Sequence, residues 1–327
     1  MYRFRLAPLC GVTDWPYREL CFEEGCECAY TEMVSAMGFL CAPKDQPATQ
    51  QLLLRGDREK HLILQLFGRD PDTVAKAAGI LAQTGKYDGI DLNMGCPAHK
   101  IAPSGEGCGL MRTPDTAKTM MEKTVKAVNG ILPVSVKMRL GWDEDSINAP
   151  EIAKAAENAG ISEITVHGRT RVQQYSGYAD WERIGDVVNA VKIPVIGNGD
   201  IFHAADGIEK MKTYGTSGIM IGRGAMGNPW IFRDLQSLAA GETVRPVTVC
   251  ERTEMILRHY DLLLGWKPEY IAVREMRKHI AWYLHGLRGA AVMRVRINRI
   301  EDPSEVKKLI VNFMSEQGDD NSEGENG

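Results

Sequence analysis

Cys96 lies in the stretch DLNMGCPAHK, where an apolar run ends at Asn93 and is followed by Gly95, Cys96 and Pro97. A thiol in such a turn can be a packed spacer, a metal ligand, a nucleophile or another reactive group. The sequence contains no CxxC pair, and no histidine pair has zinc-ligand spacing, so we expect no structural metal. Spacing alone leaves an iron–sulfur cluster open, but reduced thiols packed as small apolar groups are the simpler expectation for the eight cysteines, at positions 10, 21, 26, 28, 41, 96, 108 and 250.

Lys137, in VSVKMRLGW, and His167, in TVHGRTR, are two further residues with chemical potential. A cation inside a protein needs an anionic partner or loses free energy through desolvation. Lys137 could therefore stabilise negative charge on a reduced ring or form a Schiff base. His167 could donate to a ring oxygen, although a core histidine bonded to the backbone is the better interpretation of that residue taken alone.

Eight short apolar runs, bounded by Gly or Pro and rich in β-branched residues, predict the buried strands that would position these side chains. They span residues 4–9, 28–34, 61–68, 87–94, 132–139, 161–168, 193–200 and 216–223. Helical patterns lie between them, for example at 71–85, 114–130 and 149–161. The alternation predicts an α/β fold, a (β/α)8 TIM barrel. It disfavours an open doubly wound sheet, because PLCGVTDWP after the first run lacks the Gly-x-Gly-x-x-Gly turn.

After Gly241 the pattern changes to successive helices, at 248–266, 268–287 and 304–316. We therefore expect a barrel domain over 1–240, a small helical domain over 241–315 and a disordered acidic tail over 316–327. The tail carries five acids, and without them the net charge of −4 becomes slightly positive. No run has the length of a membrane span and the N-terminus lacks a secretory apolar core, so a cytoplasmic monomer is expected.

Polar or reactive residues stand at the carboxyl ends of nearly all the predicted strands, which is the functional face of a TIM barrel. Any one of them could merely end a strand, but together they indicate a site: Pro8, Leu9, Cys10, Glu32, Gln65, Asn93, Cys96, Lys137, Arg139, His167, Asn198, Gly199, Asp200, Gly222 and Arg223. The glycine turns after the seventh and eighth strands, with Arg223 beside them, predict a site for a phosphate-bearing cofactor.

Seven segments together resemble the tRNA-dihydrouridine synthases, closest to the bacterial B-type enzymes. The resemblance covers the chain to about residue 315 and rests on APLCGVTDWPYREL, QLFG, DLNMGCPAHKIAPSGEGCGLM, VKMRLGW, VHGRTR, VIGNGD and GIMIGRGAMGNPWIF. It implies an FMN-binding barrel, a helical tRNA-binding domain and NADPH as the reductant. It further implies that hydride passes to C6 of a uracil in tRNA and that a cysteine delivers a proton to C5.

By the same resemblance, Cys96 is the general acid. A free cysteine thiol ionises near pH 8.5, so a thiol can serve as an acid at pH 7. The positions assigned to the flavin are Pro8, Leu9, Cys10, Gln65, Lys137, His167, Asn198, Gly199, Asp200, Gly222 and Arg223. The residues assigned to the target base are Asn93, Arg139 and Arg171. Leu9 and Cys10 depart from the family pattern, which usually has Met followed by a small residue.

Residues 274–299 carry seven lysines and arginines against one acid, Glu275, and so form a candidate RNA-binding surface. The residues assigned to tRNA are Arg274, Arg277, Lys278, Arg294 and Arg296; an ordinary solvated helix face is the alternative interpretation. Two other functions stay open at this point. One is a flavin barrel that reduces a free pyrimidine or another small enone, and the other is a non-catalytic RNA-binding role.

Overall fold

The computed structural model describes residues 3–41 and 46–318, so most of the predicted acidic tail lies outside the described residues. Internal contacts divide the chain into two compact units, residues 1–224 and 225–327. The sequence places the domain boundary after residue 240, whereas the contacts assign Ile231–Ala239 to the second unit. No helix in the described ranges has both the length and the apolarity needed to cross a membrane.

The first unit contains a closed barrel of eight parallel strands, which confirms the predicted TIM barrel. The ring closes because the first strand pairs with both the second and the last, and the second pairs with the fourth. The strands are β1 (Phe4–Leu6), β2 (Cys28–Tyr30), β3 (Val34–Ser35), β4 (Leu62–Phe67), β5 (Gly89–Met94), β6 (Val134–Arg139), β7 (Glu163–His167), β8 (Val195–Asn198) and β9 (Gly218–Ile221). The two-residue strand β3 is additional to the ring and pairs only with the end of β4.

Helices separate the strands, and their starts follow the local sequence. Asp70 and Asp180 accept hydrogen bonds from the first-turn amides of Thr73 and Arg183, at 2.8 and 3.0 Å, and so cap two of the helices. The helices of this unit are α1 (Trp15–Glu23), α2 (Ala36–Cys41), α3 (Pro47–Leu52), α4 (Pro71–Ala82), α5 (Pro114–Val128), α6 (Ala149–Asn158), α7 (Trp181–Ala190) and α8 (Ala204–Thr213). Short 3-10 turns at Gly107–Arg112 and Glu144–Ser146 shape the segments after β5 and β6.

The barrel interior combines a buried ion pair, an apolar cluster and polar side chains. On β1, Arg5 donates to the Tyr30 hydroxyl at 3.1 Å and forms an ion pair with Glu163 at the start of β7. Ile63, Ile196 and other buried side chains form an apolar cluster in the core. Polar side chains lie toward the carboxyl ends of the strands, which is the face where TIM barrels carry their functional residues.

The second unit consists of helices packed around a buried aromatic cluster. Trp230 meets Tyr283 edge to face with ring centroids 6.2 Å apart, and His259 packs against His279 at 4.5 Å. Burial lowers the pKa of His259 to about 3, so this imidazole is neutral and part of the core. The helices are α9 (Ile231–Ala239), α10 (Val249–Trp266), α11 (Glu269–Tyr283), α12 (Ala290–Ile297) and α13 (Pro303–Ser315).

Candidate active site

Strand register brings several of the predicted strand-end residues next to one another. Asn93 of β5 is aligned with Lys137 of β6, and His167 of β7 is aligned with both Arg139 and Asn198. Neighbouring strands in a sheet lie about 4.8 Å apart, so aligned residues are close neighbours around the barrel mouth. The register therefore groups the predicted residues in two short rows, Asn93 with Lys137 and His167 with Arg139 and Asn198.

A chain of side-chain hydrogen bonds sets the orientation of Asn93. The Asn93 amide donates to Gln65 Oε1 at 2.8 Å, and Gln65 donates to Asp91 Oδ2 at 2.8 Å. Ser135 donates to the other oxygen of Asp91 at 2.6 Å. With its nitrogen directed at Gln65, Asn93 presents its oxygen to the turn that follows, where it accepts from the amides of Gly95 and Cys96 at 3.1 and 2.9 Å.

The turn that carries Cys96 is held from three sides, while the thiol itself is partly exposed. In addition to Asn93, Arg139 donates from Nε to the carbonyl of Gly95 at 2.9 Å. A β-carbon on Gly107, whose φ is +53°, would lie 2.9 Å from Cys96 Cβ, so only glycine fits this position. The turn thus fixes the position of Cys96 through backbone contacts.

Arg139 is buried, and all the bonds it makes in the described structure go to backbone carbonyls. Its Nη1 donates to the carbonyls of Thr170 and Gln174, both at 2.8 Å. The same guanidinium therefore ties the Cys96 turn to the loop after β7. This geometry suits a positioning role better than the direct substrate contact expected from the sequence.

Lys137 is the cation at the centre of the layer. Its Nζ donates to Asn198 Oδ1 at 3.2 Å, and it makes no ion pair with any residue that the structure describes. Burial and the neighbouring Arg139 lower the pKa of Lys137 to about 8, against the opposing influence of Asp91. Burial raises the pKa of Asp91 to about 6, although the hydrogen bonds from Ser135 and Gln65 favour its ionised form. Lys137 is thus a desolvated ammonium suited to an anionic group.

His167 is buried, and its pKa is held well below the ordinary value by burial and then by the cations around it, first Arg139 and Lys137. A neutral imidazole can donate only one hydrogen bond and cannot repel the neighbouring cations.

The space beside Gly199 and Gly222 differs. A β-carbon on Gly199 would lie 3.0 Å from the His167 ring, whereas a β-carbon on Gly222 would meet only Ala7, at 3.8 Å. The backbone after β9 is therefore open enough for a ligand to approach.

Asp200 joins the two arginines near the ends of β7 and β9. Arg169 donates to both of its carboxylate oxygens, at 2.9 and 2.6 Å, and Arg223 donates to one at 2.9 Å. Burial alone would raise the pKa of Asp200, but the hydrogen bonds from Arg169 and from the Ala179 amide lower it. The Asp200 side chain, assigned to the cofactor from the sequence, here serves to orient Arg223. Arg169 was missed, because sequence reveals a charge but not its partner.

The segment after β1 contributes backbone more than side chains. The Leu9 amide donates to Thr13 Oγ1 at 2.8 Å, and the Leu9 carbonyl accepts from the amides of Val12 and Thr13. Pro8 and Leu9 are half-buried, whereas Cys10 is exposed. These residues form one more side of the mouth.

Arg171 and Tyr175 occupy the loop after β7. Arg171 Nη2 lies 3.4 Å from His99 Nδ1, three residues beyond Cys96, and the guanidinium packs 4.7 Å from the Trp142 ring centroid. Tyr175 was missed from the sequence, yet its ring lies 4.9 Å from the Arg223 guanidinium and 6.5 Å from the His167 ring. Tyr175 is 49% exposed, and the only trace of it in the sequence is a single aromatic residue in a polar loop soon after the HGRTR motif.

The described residues contain no group of three or more His, Cys, Asp or Glu side chains that could hold a metal ion.

A family model described as Dihydrouridine synthase (Dus) matches residues 5–317. The chain belongs to this family. A "Probable tRNA-dihydrouridine synthase" of Rickettsia conorii is 40% identical over 311 residues, which are 95% of this chain and 92% of the relative. A "tRNA-dihydrouridine synthase B" of Pasteurella multocida is 38% identical over 96% of this chain and 93% of the relative.

The barrel of this dihydrouridine synthase family member also resembles solved structures of distant sequence. A structure described as TcOYE with pHBA superimposes with a TM-score of 0.51 at 12% identity, covering 72% of this chain and 88% of that one. At this identity the likeness supports the barrel fold alone.

In the second unit of this Dus-family chain, the predicted tRNA contacts differ in exposure. Arg294 and Arg296 project from α12 into solvent, and Arg274 is exposed on α11. Arg277 is half-buried and donates to the Ile300 carbonyl at 3.2 Å, and Lys278 is also half-buried. Arg274, Arg294 and Arg296 are therefore the exposed members of the five, and Arg274 lies 4.0 Å from the Glu301 carboxylate.

Proposed function

We propose that this chain reduces uridines in tRNA to 5,6-dihydrouridine, with FMN as the bound cofactor, NADPH as the reductant and Cys96 as the proton donor. Membership of the dihydrouridine synthase family supports the reaction class. The observation that carries the proposal is the fixed Cys96 turn at the barrel mouth, in the same ring of residues as the Lys137 ammonium.

The donor set at the mouth suits a flavin with a phosphate tail. Lys137 offers a positive charge to an anionic part of the ring system, and neutral His167 offers a single donor. Arg223, oriented by Asp200, together with the open backbone at Gly222, suits a phosphate. When bound, FMN supplies the hydride that reduces C6 of the uracil.

Cys96 completes the reduction from its fixed turn. As the uracil becomes an enolate, its C5 takes the proton from Cys96 Sγ, and the resulting thiolate regains a proton from water at this partly exposed position. In this proposal Arg171, which contacts His99 and Trp142, orients the base. The target base has to leave the tRNA stack to reach the barrel mouth.

The test separates the two half-reactions. The Cys96→Ala protein should still bind a yellow cofactor that NADPH bleaches, while dihydrouridine formation in tRNA, followed by mass spectrometry, should fall by about 10²- to 10⁴-fold because the general acid is lost. Equal dihydrouridine formation by the variant would remove Cys96 from the proton-donor role. Turnover of free uridine at the rate seen with tRNA would favour a small-molecule substrate instead.

A further inference from the structure

A cavity lies on the carboxyl-end rim of the barrel, and neither Lys137 nor Cys96 lines it. Its volume is about 490 Å³, within the range of small-molecule sites. The segments after β5 and β6 supply its lining, so it opens on the same face as Cys96. We call it the Trp142 pocket, and it is lined by Met111, Arg112, Pro114, Trp142, Asp143, Ser146 and Asn148.

One side of the Trp142 pocket is aromatic and cationic. The guanidinium of Arg112 lies 4.8 Å from the centroid of the Trp142 ring, which holds this planar cation in place. Arg112 is exposed and makes no ion pair within residues 3–41 and 46–318. Its N–H groups therefore remain available for an anion such as a phosphate, and the planar guanidinium itself is a surface on which a nucleobase stacks.

The other side of the pocket offers hydrogen-bond acceptors. Asn148 donates from Nδ2 to the Met111 carbonyl at 2.8 Å, which fixes its amide so that Oδ1 is buried with no partner among the described residues. Asp143 accepts from Ser146 Oγ at 2.6 Å and adds a negative charge beside it. Acceptors here suit the N–H groups of a heterocycle, while the Asp143 carboxylate repels a phosphate and favours its binding at Arg112.

We propose that the Trp142 pocket binds a nucleotide, with its base stacked on the Arg112 guanidinium and its phosphate paired with the Arg112 N–H groups. Trp142 supports this arrangement from behind, because its ring packs against the guanidiniums of both Arg112 and Arg171. The inference rests on the proposed function, which supplies two sources of this chemistry: a nucleotide of tRNA next to the target uridine, or the adenosine end of NADPH. Arg171 connects the pocket to the catalytic turn, because it contacts both Trp142 and His99.

The test uses Arg112→Gln with Lys126→Gln as the matched control. Lys126 is an exposed cation in the last turn of α5, at the opposite end of the barrel. In one arm, tRNA binding to the full chain is measured across salt concentrations. In the other arm, the NADPH concentration dependence of flavin bleaching is measured without tRNA. Trp142→Ala, with Trp142→Phe as the conservative variant, is carried through both arms.

Arg112→Gln should weaken one of the two ligands by about fivefold, as expected for a single partly exposed ion pair. If the ligand is tRNA, the slope of log K against log salt should also fall by about one. Trp142→Ala should weaken the same ligand and Trp142→Phe should restore it, while Lys126→Gln should bind both normally. If Arg112→Gln and Trp142→Ala both bind tRNA and NADPH as the wild type does, the proposal that the Trp142 pocket binds a nucleotide is wrong. A wild-type chain that binds tRNA but forms no dihydrouridine would contradict the proposed function. It would not contradict nucleotide binding by the Trp142 pocket, which the binding measurements test separately.

Discussion

At the scale of single residues, the site is a set of charges whose partners decide their roles. Arg139 and Asp200 lie in the predicted layer and Arg169 lies beside it, but the polar atoms of all three bond to the protein itself. Lys137 differs, because only the neutral Asn198 oxygen accepts from it within the described residues. The sequence predicts which residue types lie at the barrel mouth. It does not predict which of them form hydrogen bonds or ion pairs within the protein, because these pairs depend on the paths of loops, and loops have no periodic sequence pattern.

The pKa of Lys137 leads to a pH-dependence prediction. With a pKa of about 8, Lys137 is charged below that pH and neutral above it. If its ammonium holds an anionic part of FMN, the Kd of the apoprotein for FMN should rise by up to about tenfold between pH 7 and pH 9. Fluorescence titration of FMN would measure this, and Lys137→Met should bind weakly with no such rise.

Asp91→Asn provides the directional control for this prediction. The Asp91 carboxylate raises the pKa of Lys137, so its removal should move the pH dependence of FMN binding to lower pH. A shift to higher pH, or a wild-type profile that is flat from pH 7 to pH 9, would contradict the role of Lys137.

At the scale of elements, the strands were predictable and the segments after them were not. Each ring strand lies inside its predicted run, because buried parallel strands are short apolar segments that Gly and Pro delimit. The strand β3, the helix α12 and the 3-10 turn Gly107–Arg112 were not expected, since such short elements depend on tertiary contacts. That 3-10 turn supports the Cys96 turn from the outside.

Gly107 provides the element-scale prediction. In Gly107→Ala the added methyl would meet Cys96 Cβ at 2.9 Å and its carbonyl oxygen at 3.0 Å, so the Cys96 turn has to move. A displacement of this size should lower the rate of dihydrouridine formation by about 10²-fold while flavin bleaching by NADPH is retained. Single-turnover kinetics with tRNA would measure both steps.

Gly105→Ala is the matched control for Gly107→Ala. Gly105 also has a positive φ, of 88°, but a β-carbon there meets nothing nearer than 4.0 Å. This variant therefore carries backbone strain without the contact to Cys96, and it should keep most of the activity. Equal losses in both variants would attribute the effect to strain rather than to the position of Cys96.

At the scale of the whole molecule, the net charge of −4 conceals an uneven distribution. Seven of the basic residues lie within 274–299, and α12 presents Arg294 and Arg296 to solvent beside the exposed Val292 and Val295. A polyanion such as tRNA responds to this local surface rather than to the net charge, because salt screens interactions beyond about 8 Å at physiological ionic strength.

The double variant Arg294→Gln/Arg296→Gln tests this surface. Each arginine that neutralises a phosphate releases about one counterion, so the slope of log K against log salt should fall by about two and tRNA binding should weaken at low salt. Lys308→Gln, on the exposed side of α13 in the same unit, is the control and should leave binding near the wild-type value. Flavin bleaching by NADPH should be normal in both proteins, because it does not require tRNA. If the double variant keeps the wild-type slope, the RNA contacts lie on other residues, and the exposed arginines of α12 are an ordinary solvated helix face.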